Sequence, residues 1–261
     1  MSGTALVAPL VLLLDRFVIG ALRGPVAVAA YVLPYNFVQQ LLLVPASLGN
    51  AILPRLAVLP GDEVRQLQSS SLHLLGGLLT PLAVVSIALA SPFFHVWIGP
   101  ALAATAGPVA AILLVGVWIH GIAHVASTVL MGRNRPQVVT KLLLGCLIPY
   151  VAVLYLATLK FGVIGAAVVW SLRAACDPIL FVFTRPDRSD LKPLATSFGL
   201  VLSAAVTAVS LPWTSEWYWA LMFVTGFATW SQHREVLISS AFRAFSAAFS
   251  LSRRSLTDDC R

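Results

Sequence analysis

Eight long apolar runs, separated by charged or Gly/Pro-marked breaks, dominate this chain. They cover residues 5–22, 28–53, 71–94, 106–131, 142–158, 163–184, 194–211 and 217–230, and all but the last are 17 to 26 residues long. A bilayer hydrocarbon core about 30 Å thick is crossed by about 20 helical residues. The runs therefore predict an all-α, polytopic membrane helix bundle of about eight transmembrane helices over residues 1–230, followed by a basic tail over 231–261. Composition agrees: 59% of the 261 residues are hydrophobic and only 10% charged, with a mean hydropathy of +0.89. That leaves too little polar surface for a soluble enzyme or a nucleic-acid-binding domain. The number of runs excludes a single anchor, and their continuity excludes the period-2 pattern of a membrane barrel.

The charges predict an orientation. Of the 17 Lys and Arg residues, thirteen follow spans two, four, six and eight: Arg55, Arg65, Arg133, Arg135, Lys141, Arg185, Arg188, Lys192, Arg234, Arg243, Arg253, Arg254 and Arg261. Only Arg23 and Lys160 fall on the other side, while Arg16 and Arg173 lie inside spans. By the positive-inside rule both termini are cytoplasmic, and the net charge of +7 faces anionic inner-leaflet lipid rather than nucleic acid. Asp15 and Arg16 interrupt the first run, so it is not a cleavable signal peptide. Trp213, Trp217, Tyr218 and Trp219 open the last span and Trp230 closes it, the pattern of interfacial aromatic belts. In the tail, Val236, Leu237, Phe242, Phe245 and Phe249 suit either an interfacial helix or a loosely ordered basic segment.

Polar groups inside the spans mark candidate function, because a mid-bilayer charge costs at least about 2.5 kcal/mol on insertion scales. Asp15 and Arg16 lie about two-thirds of the way across span one. Arg173 and Asp177 are one turn apart in span six, where they either face a polar cavity or neutralise each other. Span two carries Asn36, Gln39, Gln40, Ser47 and Asn50 largely along one stripe, which lines water or bonds to a neighbouring helix. Tyr31, Pro34 and Tyr35 open that span, and Pro45 interrupts it. His120 and His124 are also one turn apart, but without a HExxH glutamate or a nearby third ligand they read as packing or pore-lining groups, so no metal is expected. Cys146, Cys176 and Cys260 form no disulfide framework or CxxC pattern. Gly76, Gly77, Gly162 and Gly165 are expected to permit close helix approach. No phosphate loop or nucleophile elbow occurs, so no cofactor and no enzyme activity are expected.

Several segments carry a family resemblance. LDRFVIG at 14–20, GPVAVAAYVLPYNFVQQLLLVPASLGNAILPRLA at 24–57, WIGP at 97–100, GRNRPQVVTKL at 132–142 and FGVIGAAVVWSLRAACDPIL at 161–180 follow one another in order. Together they resemble polysaccharide-biosynthesis membrane proteins of the oligosaccharide (O-antigen type) flippase group, within the multidrug/oligosaccharidyl-lipid/polysaccharide exporter superfamily. The resemblance implies two bundles of about six helices, sometimes with two more at the end, in the bacterial inner membrane. It implies a lipid-linked oligosaccharide substrate carried on undecaprenyl pyrophosphate. It also implies that Asp15, Arg16, Asn36, Gln39, Gln40, Asn50, Arg173 and Asp177 face a central cavity, with guanidiniums suited to pyrophosphate and a carboxylate able to carry a coupling proton.

The DRF segment begins the second bundle in that group, so a first bundle is expected from a separate chain or a second copy, or is lost by truncation, which is the favoured expectation. A cation-coupled drug exporter of the same superfamily and a non-transporting fragment are the alternatives. A membrane-embedded glycan polymerase or ligase is disfavoured, since every predicted external loop is short.

Overall fold

The computed structural model describes the backbone of residues 2–186 and 188–258, and the side chains of 13–186, 189–236 and 238. Among these the chain is helical and without strands. The elements are α1 (Ser2–Arg23), α2 (Pro25–Gln39), α3 (Leu43–Leu56), α4 (Gly61–Ile98), α5 (Pro100–Gly132), α6 (Pro136–Ala174), α7 (Leu180–Thr184), α8 (Arg188–Ser210) and α9 (Glu216–Asp258). Short 3-10 turns at Gln40–Leu42 and Asp177–Ile179 join α2 to α3 and α6 to α7.

Five segments among the described residues are long and apolar enough to cross a membrane: Pro25–Leu56, Gly61–Ile98, Pro100–Gly132, Pro136–Thr184 and Ser189–Ser210. This differs from the expected eight in two ways. The runs at 5–22 and 217–230 are helical but fall outside this set, and the runs at 142–158 and 163–184 share one segment. A straight helix over the 49 residues of Pro136–Thr184 would be about 74 Å long, more than twice a hydrocarbon core. It is not straight. Gly162 has φ 62° and ψ −140°, a conformation that a Cβ would disfavour. A Cβ built on Gly165 would collide with the Ala157 carbonyl, a contact that eight residues along a straight helix could not make. The chain thus turns back at Gly162, which serves the turn rather than helix approach. Carbonyls freed by that break are capped from α1, whose Arg23 donates from Nε to Thr158 O at 3.1 Å and from Nη2 to Leu159 O at 2.6 Å.

The core forms around α5. This helix is apolar around its circumference as far as Ile119, and 22 of its residues are buried. Its glycines let three neighbours approach closely: Gly107 meets Ser91 of α4, Gly116 meets Trp170 and Ser171 of α6, and Gly132 meets Leu56 of α3. Gly76 and Gly77 of α4 do the same for Leu194 of α8 and Val236 of α9, and with Gly165 against Ala157 three of the four glycines singled out permit close approach as expected. Polar side chains tie the helices together, with Ser171 Oγ donating to Ile112 O at 2.8 Å and Trp118 Nε1 donating to Thr80 Oγ1 at 3.1 Å. Tyr218 is fully buried instead of sitting in an aromatic belt. Its hydroxyl donates to Ala88 O at 2.8 Å, the carbonyl that Pro92, lacking an N–H, leaves free one turn later.

Large apolar side chains cover the outside, including Phe17, Ile148, Phe161, Trp217, Phe223 and Phe227, each at least 65% exposed. Such a surface belongs against lipid. In the tail, backbone helix continues through α9 to Asp258, while the side chains of Leu237, Phe242, Arg243, Phe245, Phe249, Arg253 and Arg254 lie outside the described residues, as does Cys260.

Two outcomes follow from this packing. A Cβ at Gly116 would come within 2.8 Å of the Ser171 backbone, whereas one at Gly145 meets nothing within 4 Å. Gly116→Ala should lower unfolding stability by about 1–3 kcal/mol while Gly145→Ala raises it by up to about 1 kcal/mol, measured by thermal unfolding in detergent. His233, past the predicted last span, is buried, and its ring nitrogen Nε2 lies 3.0 Å from Ser197 Oγ. Burial holds its pKa below the usual histidine value. The unfolded chain therefore takes up a proton first as pH falls through about 6.5, and stability declines below that pH. Melting curves between pH 7.5 and 5 should show that decline in the native chain and a shallower one in His233→Gln.

Candidate functional site

The polar residues of α1, α2 and α6 meet around one buried carboxylate. Asp15 is only 4% exposed in a bundle of apolar side chains, a position that strongly penalises a bare charge. Two phenols answer it. Tyr31 of α2 donates to Oδ2 at 2.9 Å, and Tyr150 of α6 donates to Oδ1. Arg173 lines a small cleft with Tyr150 on the same helix. The three helices are therefore joined at a single carboxyl group by two buried hydrogen bonds.

Local sequence explains the convergence. Tyr31 and Tyr35 are four residues apart on the buried face of α2, with Ala30, Pro34 and Val38. Their rings stack at 5.7 Å, and Trp170 meets Tyr35 edge-on at 5.7 Å. On α6, Tyr150 follows Pro149 and packs inward. Adjacent residues on a helix point about 100° apart, so Asp15 and Arg16 serve different partners. Arg16 turns toward the surface, donates from Nη2 to Asn36 Oδ1 at 3.2 Å, and places its guanidinium carbon 5.7 Å from the Tyr35 ring centroid.

The stripe on span two faces out of the bundle. Asn36, Gln40, Ser47 and Asn50 are exposed and Gln39 is half-buried beside Tyr35. The opposite face, with Tyr31, Tyr35, Pro45, Gly49 and Ile52, packs inward. At Gly49 a Cβ would lie 3.0 Å from both His124 Nε2 and Thr128 Oγ1 of α5, which fixes the rotation of α3 and directs Asn50 outward. An exposed polar stripe on an otherwise apolar surface has no partners in lipid. It belongs against water or another polar protein surface.

Arg173 and Asp177 do not form an ion pair within 4.0 Å, because α6 ends at Ala174 and Asp177 lies in the following 3-10 turn. Asp177 Oδ2 instead lies 2.6 Å from His120 Nδ1 of α5. His120, His124, Ser127, Arg173 and Asp177 line a half-open cavity of about 260 Å³. Among the described residues no group of three His, Cys, Asp or Glu could hold a metal. Of the eight predicted site residues, Asp15, Arg16, Asn36, Gln39 and Arg173 thus gather around the tyrosines. Asp177 joins the histidines, Gln40 reaches only Asn36 O of its own helix at 3.5 Å, and Asn50 continues the outer stripe. Tyr31, Tyr35 and Tyr150 were not among the predicted site residues. The four-residue spacing of Tyr31 and Tyr35 was the available signal, while Tyr150 carries none without the tertiary fold.

The MatE family profile matches residues 1–156. The chain belongs to the MatE family. That match contains Asp15, Tyr31, Asn36 and Tyr150, while Arg173 and Asp177 lie beyond it. The chain is also 25% identical over 188 residues to a Shigella flexneri protein described as "Putative O-antigen transporter", a stretch covering 71% of this chain and 45% of that relative. It therefore spans less than half of that relative's length. No solved structure matches the chain. The exporter resemblance expected from the LDRF and NFVQQ segments is borne out, and this MatE-family chain is a multi-pass membrane protein of a transporter family.

The carboxylate centre sets a stability expectation. Tyr150→Phe leaves one oxygen of the buried Asp15 carboxyl without its donor and should cost about 1–3 kcal/mol. Combining it with Tyr31→Phe should cost less than the sum of the single changes, since both phenols serve one carboxyl group; a double-mutant cycle of melting curves in detergent measures that coupling.

Proposed function

We propose that this MatE-family chain forms one half of a bacterial inner-membrane transporter that flips lipid-linked oligosaccharide for surface polysaccharide. The observation that carries the reading is the exposed stripe of Asn36, Gln40, Ser47 and Asn50 with Arg16 beside it, on a bundle whose remaining surface suits lipid. Polar groups at membrane depth are tolerated where they line a water-filled cavity or meet protein. A cavity of that kind arises when a second bundle faces this one, and rocking of two bundles about a midplane site gives alternating access. The second bundle comes from a separate chain, from another part of a longer protein or from a second copy.

In this reading the glycan and its pyrophosphate pass along the stripe, with Arg16 supplying two parallel N–H donors to a phosphate. Asp15 ties the gating helices together behind it, and its protonation loosens the contact of α1 with α2 and α6. Eight crossings with both termini cytoplasmic complete the proposal. The relative's description as an O-antigen transporter supports the cargo class, and the LDRF segment supports the same group. A cation-coupled drug exporter is the second reading, favoured by the MatE match and a buried carboxylate.

Arg16→Ala and Arg173→Ala, introduced into the gene in its own host, should abolish surface polysaccharide by gel and glycan staining while the protein remains in the membrane fraction. Normal polysaccharide from both variants would remove the assignment. Loss of drug resistance with unchanged polysaccharide would select the exporter reading instead.

A further inference from the structure

A second polar centre lies at one end of the bundle, away from Asp15. There the loops after α3, α5 and α7 converge on a half-open cavity of about 640 Å³. Its walls carry four arginines from three chain segments: Arg65 from the start of α4, Arg133 and Arg135 from the turn between α5 and α6, and Arg185 after α7. One carboxylate, Asp62, also lines it, yet among the described residues no ion pair within 4.0 Å joins it to any arginine. Four guanidiniums around one space repel each other and are poorly compensated.

One further feature suits a bound anion. Beside the buried Gln68, whose Nε2 donates to Thr184 Oγ1 at 2.9 Å, the chain takes an unusual turn. Arg185 adopts a left-handed conformation, φ 47° and ψ 61°, at the end of α7, a place where glycine is ordinarily preferred. A bulky residue held there at a conformational cost marks its side chain as useful. The remaining wall is apolar, and two of its residues, Val182 and Phe183, are 70% and 47% exposed.

We propose that this cavity binds the phosphate headgroup of an anionic glycerophospholipid, with the arginines on the phosphate and the acyl chains against Val182 and Phe183. The pairing of guanidiniums with exposed apolar side chains distinguishes an amphiphile from a free phosphate. Basic pockets between membrane helices hold anionic headgroups for the same reason. The site is separate from the proposed transport path and does not depend on that reading.

The test uses the full chain purified in detergent, with bound phosphatidylglycerol and phosphatidylcholine counted by native mass spectrometry. The native chain should retain phosphatidylglycerol preferentially, and each arginine removed should weaken retention roughly fivefold. Arg185→Gly relieves the backbone strain while deleting a guanidinium, so its retention should fall as its melting temperature holds or rises. Arg133→Gln with Arg135→Gln should fall further, and Lys141→Gln with Lys160→Gln, outside the cavity, should match the native chain. Phe183→Ser should weaken lipid retention without changing competition by soluble glycerol phosphate. Equal retention in native and arginine variants would overturn the proposal, as would an equal loss in the lysine control. Displacement of the lipid by millimolar inorganic phosphate alone would also overturn it, in favour of a soluble-anion site.

Discussion

The fold depends on α5, which is enclosed by neighbours along most of its length. A helix can be surrounded in this way only if it is apolar on all faces and small enough for several backbones to approach at once. The stretch from Ala103 to Ile119 meets both conditions, with Gly107 and Gly116 at the closest contacts and Ala106, Ala110 and Ala111 beside them. In lipid there is little hydrophobic gain from bringing helices together, so dispersion at such contacts and a few interhelical hydrogen bonds must hold the bundle. Ser171 to Ile112 O and Trp118 to Thr80 are bonds of that kind, and both involve α5.

Once α5 is placed, its neighbours inherit their rotations. Gly49 against His124 turns α3, and the inward face of Tyr31, Pro34 and Tyr35 turns α2. The polar residues of that segment are thereby sent outward. Asp15 and the stripe then play opposite roles: the carboxylate is buried and fully engaged by Tyr31 and Tyr150, while Asn36, Gln40, Ser47 and Asn50 remain exposed. The same rule of polar satisfaction explains both. Asp15 finds its partners within the bundle, and the stripe must find water or protein outside it.

Arg23 capping the helix end before Gly162 and Tyr218 capping the carbonyl left by Pro92 are smaller cases of the rule. Each is a long-range bond, spanning more than a hundred residues of chain, at a place where the helix ladder is broken. Breaks in membrane helices persist where such partners are at hand. The cluster of arginines at the loop end is the contrasting case, since among the described residues no carboxylate lies within 4.0 Å of its donors.

The sequence by itself determined the all-helical membrane class, because the length and apolarity of the runs leave little else for the backbone to do. It also marked Asp15, Arg16, Arg173 and the stripe, since a charge or amide in hydrocarbon is costly wherever it ends up, and its ordered motifs pointed to the exporter family. Which groups meet was not legible. Helical spacing left Arg173 and Asp177 either facing a cavity or neutralising each other, but the helix ends between them and Asp177 turns to His120, 57 residues away. Likewise, 142–158 and 163–184 were legible as two apolar runs, yet only the fold shows them turning about Gly162 within one segment. Tyr150 became a partner of Asp15 only when α6 crossed α1. Local periodicity reports which face of a helix is apolar; the meeting of faces distant in sequence is set by close packing around α5, and only the tertiary structure decided it.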